Sequence, residues 1–214
     1  MAIYSLNHKS IGRTTHRAGR AGAHIRYIAR RSAEPVIISQ LMPADWKKAK
    51  KWIDAQELAS RKNARVADLV MIALPIELNK KQRLELVEQF LESITGGRVP
   101  AFAAIHQEGE DSHNPHAHIL IHDKSPLNGR RVLKMSEMGS TLKIREQWAR
   151  DASMALKRAF IDEKIDHRSY REREIQQVPT RHRGWRNRPR NRVQSKTPLT
   201  PQNSLFIRLR RDMS

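Results

Sequence analysis

The chain has 214 residues, with 41 Lys and Arg against 22 Asp and Glu, a formal charge of +19 and no cysteine. That length accommodates one domain with a sizeable core, and the missing cysteine excludes disulfides, thiolate metal sites and a cysteine nucleophile, so any metal must sit on His, Asp or Glu. The positive balance points to a polyanionic partner without separating DNA from RNA, or either from a merely solvated surface.

"MAIYSLNH" alternates enough for a first strand, and "KSIGRTT" reads as the turn after it. The opening "MAIYSLNHKS" lacks the apolar core of a signal peptide, and no apolar run approaches the roughly 20 residues of a membrane span. A cytoplasmic protein without membrane insertion is expected. From Thr14 to Arg31 a helix is predicted, with Ala18, Ala21, Ile25 and Ile28 on its inner face. Its other face carries Arg20, His24, Tyr27 and Arg31 at steps of four, three and four, which sets a tyrosine among cations. Residues 9–31 are acid-free and include Lys9, Arg13, Arg20 and Arg31, the candidate DNA-binding cations.

"AEPVIISQLMPADW" reads as extended or irregular. A helix follows, capped at Asp45, with Trp46, Ala49 and Ile53 inward. "ARVADLVMIALP" is an apolar strand ended by Pro75. The next helix has an Asn79 cap, a Leu84, Val87, Leu91, Ile94 stripe and a Gly96-Gly97 stop. "VPAFAAIH" and "HAHILIHD" are two strands joined by a polar loop of hairpin length. A long helix from about residue 136 to 164 turns Ile144, Trp148, Ala152, Leu156 and Phe160 inward. Beyond it the composition shifts to Arg, Asn, Pro and Gln, so residues 181–214 are expected to form a basic, weakly packed tail. There "RHRGWRNRPRNR" would add affinity without sequence readout, or merely solubility. Strands and helices mix without regular βαβ alternation, which favours an α+β fold: an antiparallel sheet with helices packed on one side.

The stretch "HQEGEDSHNPHAH" holds four of the ten histidines. His116 and His118 lie two apart in a strand, so both leave the same face. If the two strands pair, His106 stands beside His116, and three neutral imidazoles converge with positions left open on a metal. Surface or core histidines without a ligand role are the plainer alternative. His113 lacks a fixing strand and His122 sits further along, so both rank below these three. With no thiolates and so many cations, phosphodiester chemistry suits such a site better than a zinc hydrolase. A tyrosine that attacks a phosphodiester conserves the bond energy in a phosphotyrosyl ester. Of Tyr4, Tyr27 and Tyr170, only Tyr27 lies on a cation-lined helix face, although a base-stacking platform or simple packing would also place a tyrosine there.

Four stretches together resemble the MobA/MobL relaxases, plasmid mobilisation endonucleases of the HUH superfamily. They are "MAIYSLNHKSIGRTTHRAGRAGAHIRYI", "VMIALPIEL", "AIH" with "NPHAHILI", and "IDHRSYREREIQQVP". The resemblance spans about residues 1–180, which become the expected relaxase domain with the superfamily's palm. It implies a divalent cation, Mg or Mn, on His106, His116 and His118, and Tyr27 as the nucleophile. The implied reaction is a strand-specific nick at an origin of transfer, with Tyr27 kept on the 5′ phosphate and the ends later resealed. Implied partners are single-stranded and hairpin DNA at that origin, relaxosome accessory proteins and a coupling protein. The chain departs from the family where relatives carry glutamates before "ALP": here only Asp68 is near, which makes it a candidate base beside Glu77 and His24. Two other readings stay open, a rolling-circle replication initiator of the same superfamily and a non-catalytic basic nucleic-acid-binding protein.

Overall fold

The computed structural model describes residues 4–107, 113–169 and 172–174. The expected basic tail and its boundary near residue 180 lie outside the described residues. The chain divides into two units, Met1–Ser169 and Tyr170–Ser214, and every helix and strand given below lies in the first.

In chain order the elements are β1 (Leu6–Gly12), α1 (Arg20–Ile28), β2 (Val36–Gln40), α2 (Trp46–Leu58), β3 (Arg65–Ala73), α3 (Lys80–Thr95), β4 (Ala101–His106), β5 (His116–Ile121) and α4 (Ser140–Arg158). The strands form one sheet in the order β1-β3-β5-β4-β2, antiparallel at every pairing. The α+β class and the antiparallel sheet are as expected. The helices, however, cover both faces rather than one.

Strand parity explains the two layers. On one face Val70, Ile72, Ala103, Ile105, Ala117, Ile119 and Ile121 pack against Leu86, Phe90 and Leu91 of α3 and Trp148, Ala152 and Leu156 of α4. On the other, Ala67, Phe102, Ala104 and Leu120 meet Ala21, Ile25 and Ile28 of α1 and Ala49 and Ile53 of α2. Every residue of β4 is buried. A strand apolar at both parities has no face to give to water, so it needs a layer on each side.

Local chemistry fixes the helix ends. Asn79 and Gln82 form a reciprocal capping box for α3, and Gly96 ends it in the left-handed region at φ 56°. Asp45 caps α2 through the Lys48 N–H. Three expectations shift. β1 runs on through Lys9, Ser10 and Ile11, because Ser10 pairs with Asp68 and Ile11 with Ala67; pairing overrides the turn signal. Helix α1 starts at Arg20 rather than Thr14, since Gly19 at φ 75° breaks the approach and Glu57 holds the Gly19 N–H. Phe160, expected inward, lies past the last turn of α4 at φ 58° and is 98% exposed.

Candidate metal and nucleophile site

The β4–β5 register sets His106 opposite His116. His116 and His118 leave the sheet on the same side as Phe102, Ala104 and Leu120, the face that α1 covers. The imidazoles of His106, His116 and His118 stand 5.0 to 5.1 Å apart between ring centroids, edge to face. Each offers a ring nitrogen, and these atoms all lie within 4.8 Å of one another.

The hydrogen bonds select which nitrogen is offered. His106 Nε2 lies 2.7 Å from the Ile28 carbonyl oxygen, which can only accept, so the N–H is there and Nδ1 keeps its lone pair. His116 Nδ1 donates in the same way to the Asn114 carbonyl at 2.7 Å, leaving Nε2 open. His118 is held neutral: burial first, then the neighbouring His116, His106, His24 and Arg30, push its pKa down to about 3. One ring nitrogen of each of the three imidazoles thus lies within 4.8 Å of the others. A cation with bonds of about 2.1 Å to nitrogen wants ligands about 3.0 to 3.5 Å apart, within reach of small side-chain rotations. The donor set fits a divalent ion, and three nitrogens without a carboxylate suit a transition metal better than Mg2+, whose preference is oxygen.

Tyr27 reaches the same place from α1. Its ring centroid is 6.2 Å from that of His118 and 6.3 Å from that of His24, and His24 is 5.9 Å from His118. The side chain is 56% exposed, and its hydroxyl makes no hydrogen bond among the described residues. The cation beside it is Arg30, whose guanidinium carbon lies 4.9 Å from the ring centroid. Helical spacing had pointed to Arg31, but α1 ends at Ile28 and Arg31 opens a separate 3-10 turn, so the count slips by one. Burial and the charge of Arg20 hold His24 neutral, with its pKa lowered to about 4.

The other candidates are spread more widely. Asp68 does not reach the site. It points to the opposite face of the sheet and sits at the end of β3 paired with Ile121, away from the Ala73↔His116 end. There it accepts from His8 Nε2 at 2.9 Å and forms an ion pair with Arg65. The two-residue period of the pleat accounts for this: an even position on β3 shares its face with Val70 and Ile72. Glu77 lines a groove with Met71, Ala73, Ile76, His113 and His116, so His113 is near the site from its loop. His122 shares the parity of His118 but is buried against Trp52, with Nδ1 donating to the Val66 carbonyl at 2.7 Å. Arg20 and Arg31 are exposed at the two ends of α1, and Lys9 is exposed on β1 opposite Leu69. Arg13 is tied elsewhere, its guanidinium donating to the Ser60 carbonyl.

Comparison with known proteins adds a family context. The profile of the MobA/MobL family matches residues 14–139 and 125–192. Mobilization protein A of Escherichia coli is 31% identical over 213 residues, covering 86% of this chain and 30% of that protein, so the chain spans under a third of this relative's length. A solved structure described as "Molecular Basis of Vancomycin Resistance Transfer in Staphylococcus aureus" is similar at a TM-score of 0.58 and 18% identity, covering 79% of this chain and all of the other. The MobM relaxase domain bound to plasmid pMV158 oriT DNA, a Mn-bound crystal structure, is similar at 0.53 and 14% identity, covering 85% of this chain and 96% of the other. At such identities these two likenesses establish the fold.

Proposed function

Because the chain belongs to the MobA/MobL family, we propose that it is a relaxase that nicks plasmid DNA at an origin of transfer and reseals it during mobilisation. The observation that carries this reading is the meeting of an open, cation-flanked phenol with three converging imidazoles: Tyr27 lies 6.2 Å from His118, ring to ring. The MobM likeness supports a divalent ion and origin DNA as the site's ligands.

His106, His116 and His118 would hold the ion, which when bound supplies positive charge to a phosphate oxygen in the transition state. The rest falls to the chain. Tyr27 Oη attacks phosphorus, the bond to the 3′ oxygen breaks, and Tyr27 keeps the 5′ phosphate as an ester. The phenolic proton leaves as the 3′ oxygen takes one up, so charge balances across the step. With Asp68 on the far face, His24 is the candidate acceptor standing beside the phenol, and its neutral imidazole has a lone pair to accept with. Arg30 stacks on Tyr27 and opposes protonation of His118, and its charge beside both supports a role in holding the phosphate. The reverse attack by a 3′ hydroxyl reseals the strand.

The test is incubation with supercoiled plasmid carrying the cognate origin, with and without chelator. Expected is a metal-dependent nick with protein covalently on the 5′ end, lost in Tyr27→Phe with binding retained. Retardation of the plasmid without cleavage would overturn the reading in favour of a non-catalytic binding protein.

A further inference from the structure

A second concentration of positive charge lies at the other end of the sheet's central strand. β5 runs from His116 to Ile121, roughly 17 Å at about 3.3 Å per residue, and the chain then enters the segment carrying Lys124, Arg130 and Arg131. This segment is held by a carboxylate. Asp123 accepts the backbone N–H groups of Val132 at 3.1 Å and Leu133 at 2.7 Å on Oδ1, and that of Met135 at 3.3 Å on Oδ2. The Ser125 N–H donates to the Arg130 carbonyl at 2.9 Å, closing the turn. Asp123 is thereby occupied with backbone and is buried, and the basic side chains project from a strapped loop.

Lys124 of this segment and Arg13 meet at Ser60, just past the end of α2. Lys124 Nζ donates to Ser60 Oγ at 2.9 Å, and the Arg13 guanidinium donates to the carbonyl of the same serine. Arg61 follows Ser60 directly and is exposed, with no hydrogen bond or ion pair from its side chain among the described residues. Arg131 is propped by Ser136 Oγ at 2.9 Å and the Arg65 carbonyl at 3.5 Å, both neutral acceptors. Among the described residues no carboxylate pairs with Arg13, Arg61, Lys124 or Arg131. Elsewhere on the surface cations pair along the helices, as in Lys50 with Asp54, Lys81 with Glu85 and Arg150 with Glu146. Like charges held together cost Coulomb energy, which a bound anion would remove. Lys124 registers that cost: burial, then Arg131 and Arg61, lower its pKa.

We propose that Arg61, Lys124 and Arg131, backed by Arg13 on Ser60, form a second phosphate-binding site that grips the DNA backbone away from the nicking site. Its ligand is a phosphate diester of the DNA, single-stranded or duplex, met about 17 Å or more along the molecule from the histidines. The site makes no base contact; it anchors the substrate while the histidine end does the chemistry. This rests on the reading of the protein as one that acts on DNA.

The probes are a 30-base-pair duplex and a 30-nucleotide single strand of arbitrary sequence, because phosphate contacts are sequence-independent. Binding is measured against salt for the full chain and for R61Q/K124Q/R131Q. Each duplex phosphate contact contributes about 0.9 to the slope of log K against log salt, about 0.7 for single strands, so a loss of roughly two to three units is expected in at least one arm. A charge-matched control, K81Q/K143Q/R150Q on α3 and α4, should change the slope by less than one unit. Matched melting temperatures guard against misfolding. Equal slopes for both triple variants in both arms would overturn the proposal. If the unaltered chain binds DNA but does not nick it, and the slopes differ, the relaxase reading fails while the anchoring site stands; if it nicks and the slopes match, only the anchoring site fails.

Discussion

Tyr27 and Ile28 are adjacent and do opposite things. Ile28 is fully buried and its carbonyl fixes the tautomer of His106, while Tyr27 turns its phenol outward beside His118. The helix that carries the proposed nucleophile thus also orients a proposed metal ligand, the kind of outer contact that tunes a site. His24 adds a titration that can be measured without metal. Its pKa is near 4 in the fold and 6.5 when unfolded, so between those values the unfolded chain binds a proton that the folded one refuses. Stability therefore falls as pH drops from about 6.5 toward 4 and is insensitive to this group above 6.5. With chelator present, thermal melting should show that decline, and His24→Gln should remove up to about one proton from its slope. His118 and His122, also depressed by burial, act in the same direction. An unchanged slope would show that His24 titrates as a surface histidine. At this scale the sequence was readable: the i, i+2 spacing of His116 and His118 and the cation-lined face of Tyr27 follow from periodicity. Asp68 was misread because nearness in sequence says nothing of which face a strand residue occupies.

At the scale of elements, the placement of Tyr27 depends on how closely α1 approaches α2. Gly22 makes that approach: a Cβ there would come within 2.2 Å of Asp54 Oδ1. Asp54 pairs with Lys50, so a retreat from Cβ would also disturb that ion pair. Gly22→Ala should therefore destabilise the wild-type chain and reduce nicking. In an Asp54→Ala background the same change should stabilise by about 1 kcal/mol, the ordinary helix gain of Ala over Gly. A double-mutant cycle by denaturant unfolding reads the sign reversal, and additive effects would show that the contact does not limit helix approach. The helix caps at Asp45 and Asn79 were legible because capping is local chemistry. The start of α1 and the length of β1 were not, since both are settled by partners distant in sequence: Glu57 on the Gly19 N–H, and Asp68 and Ala67 opposite Ser10 and Ile11. The apolar run "AFAAI" fits burial of β4 at both parities, but that helices cover both faces is settled by the packing of α1 and α2 on one side and α3 and α4 on the other.

For the whole molecule, a charge of +19 should dominate DNA affinity, and the metal should govern chemistry. His116→Ala is accordingly expected to abolish nicking while keeping most of the salt-sensitive affinity, measured by titration of the same duplex at several salt concentrations. Equal collapse of both would assign the histidines a structural role. The basic residues first grouped by their run along the chain separate in space: Arg20 and Arg31 flank the helix of Tyr27, while Arg13 joins Ser60 and Lys124 at the other end of the sheet.

The sequence by itself determined the α+β class, the antiparallel pairing that sets His106 beside His116, the thiol-free donor set and the polyanion-seeking charge. Each is local, periodic or compositional, and needs no knowledge of distant partners. Only the tertiary structure decided that both sheet faces are covered, that Asp68 faces away from Tyr27, that Arg30 rather than Arg31 stacks on the phenol, and that Lys124 and Arg13 meet at Ser60 beside Arg61. Those facts depend on strand register, on where a helix stops and on which loop is strapped to which strand, and they are fixed by long-range packing that no window of sequence contains.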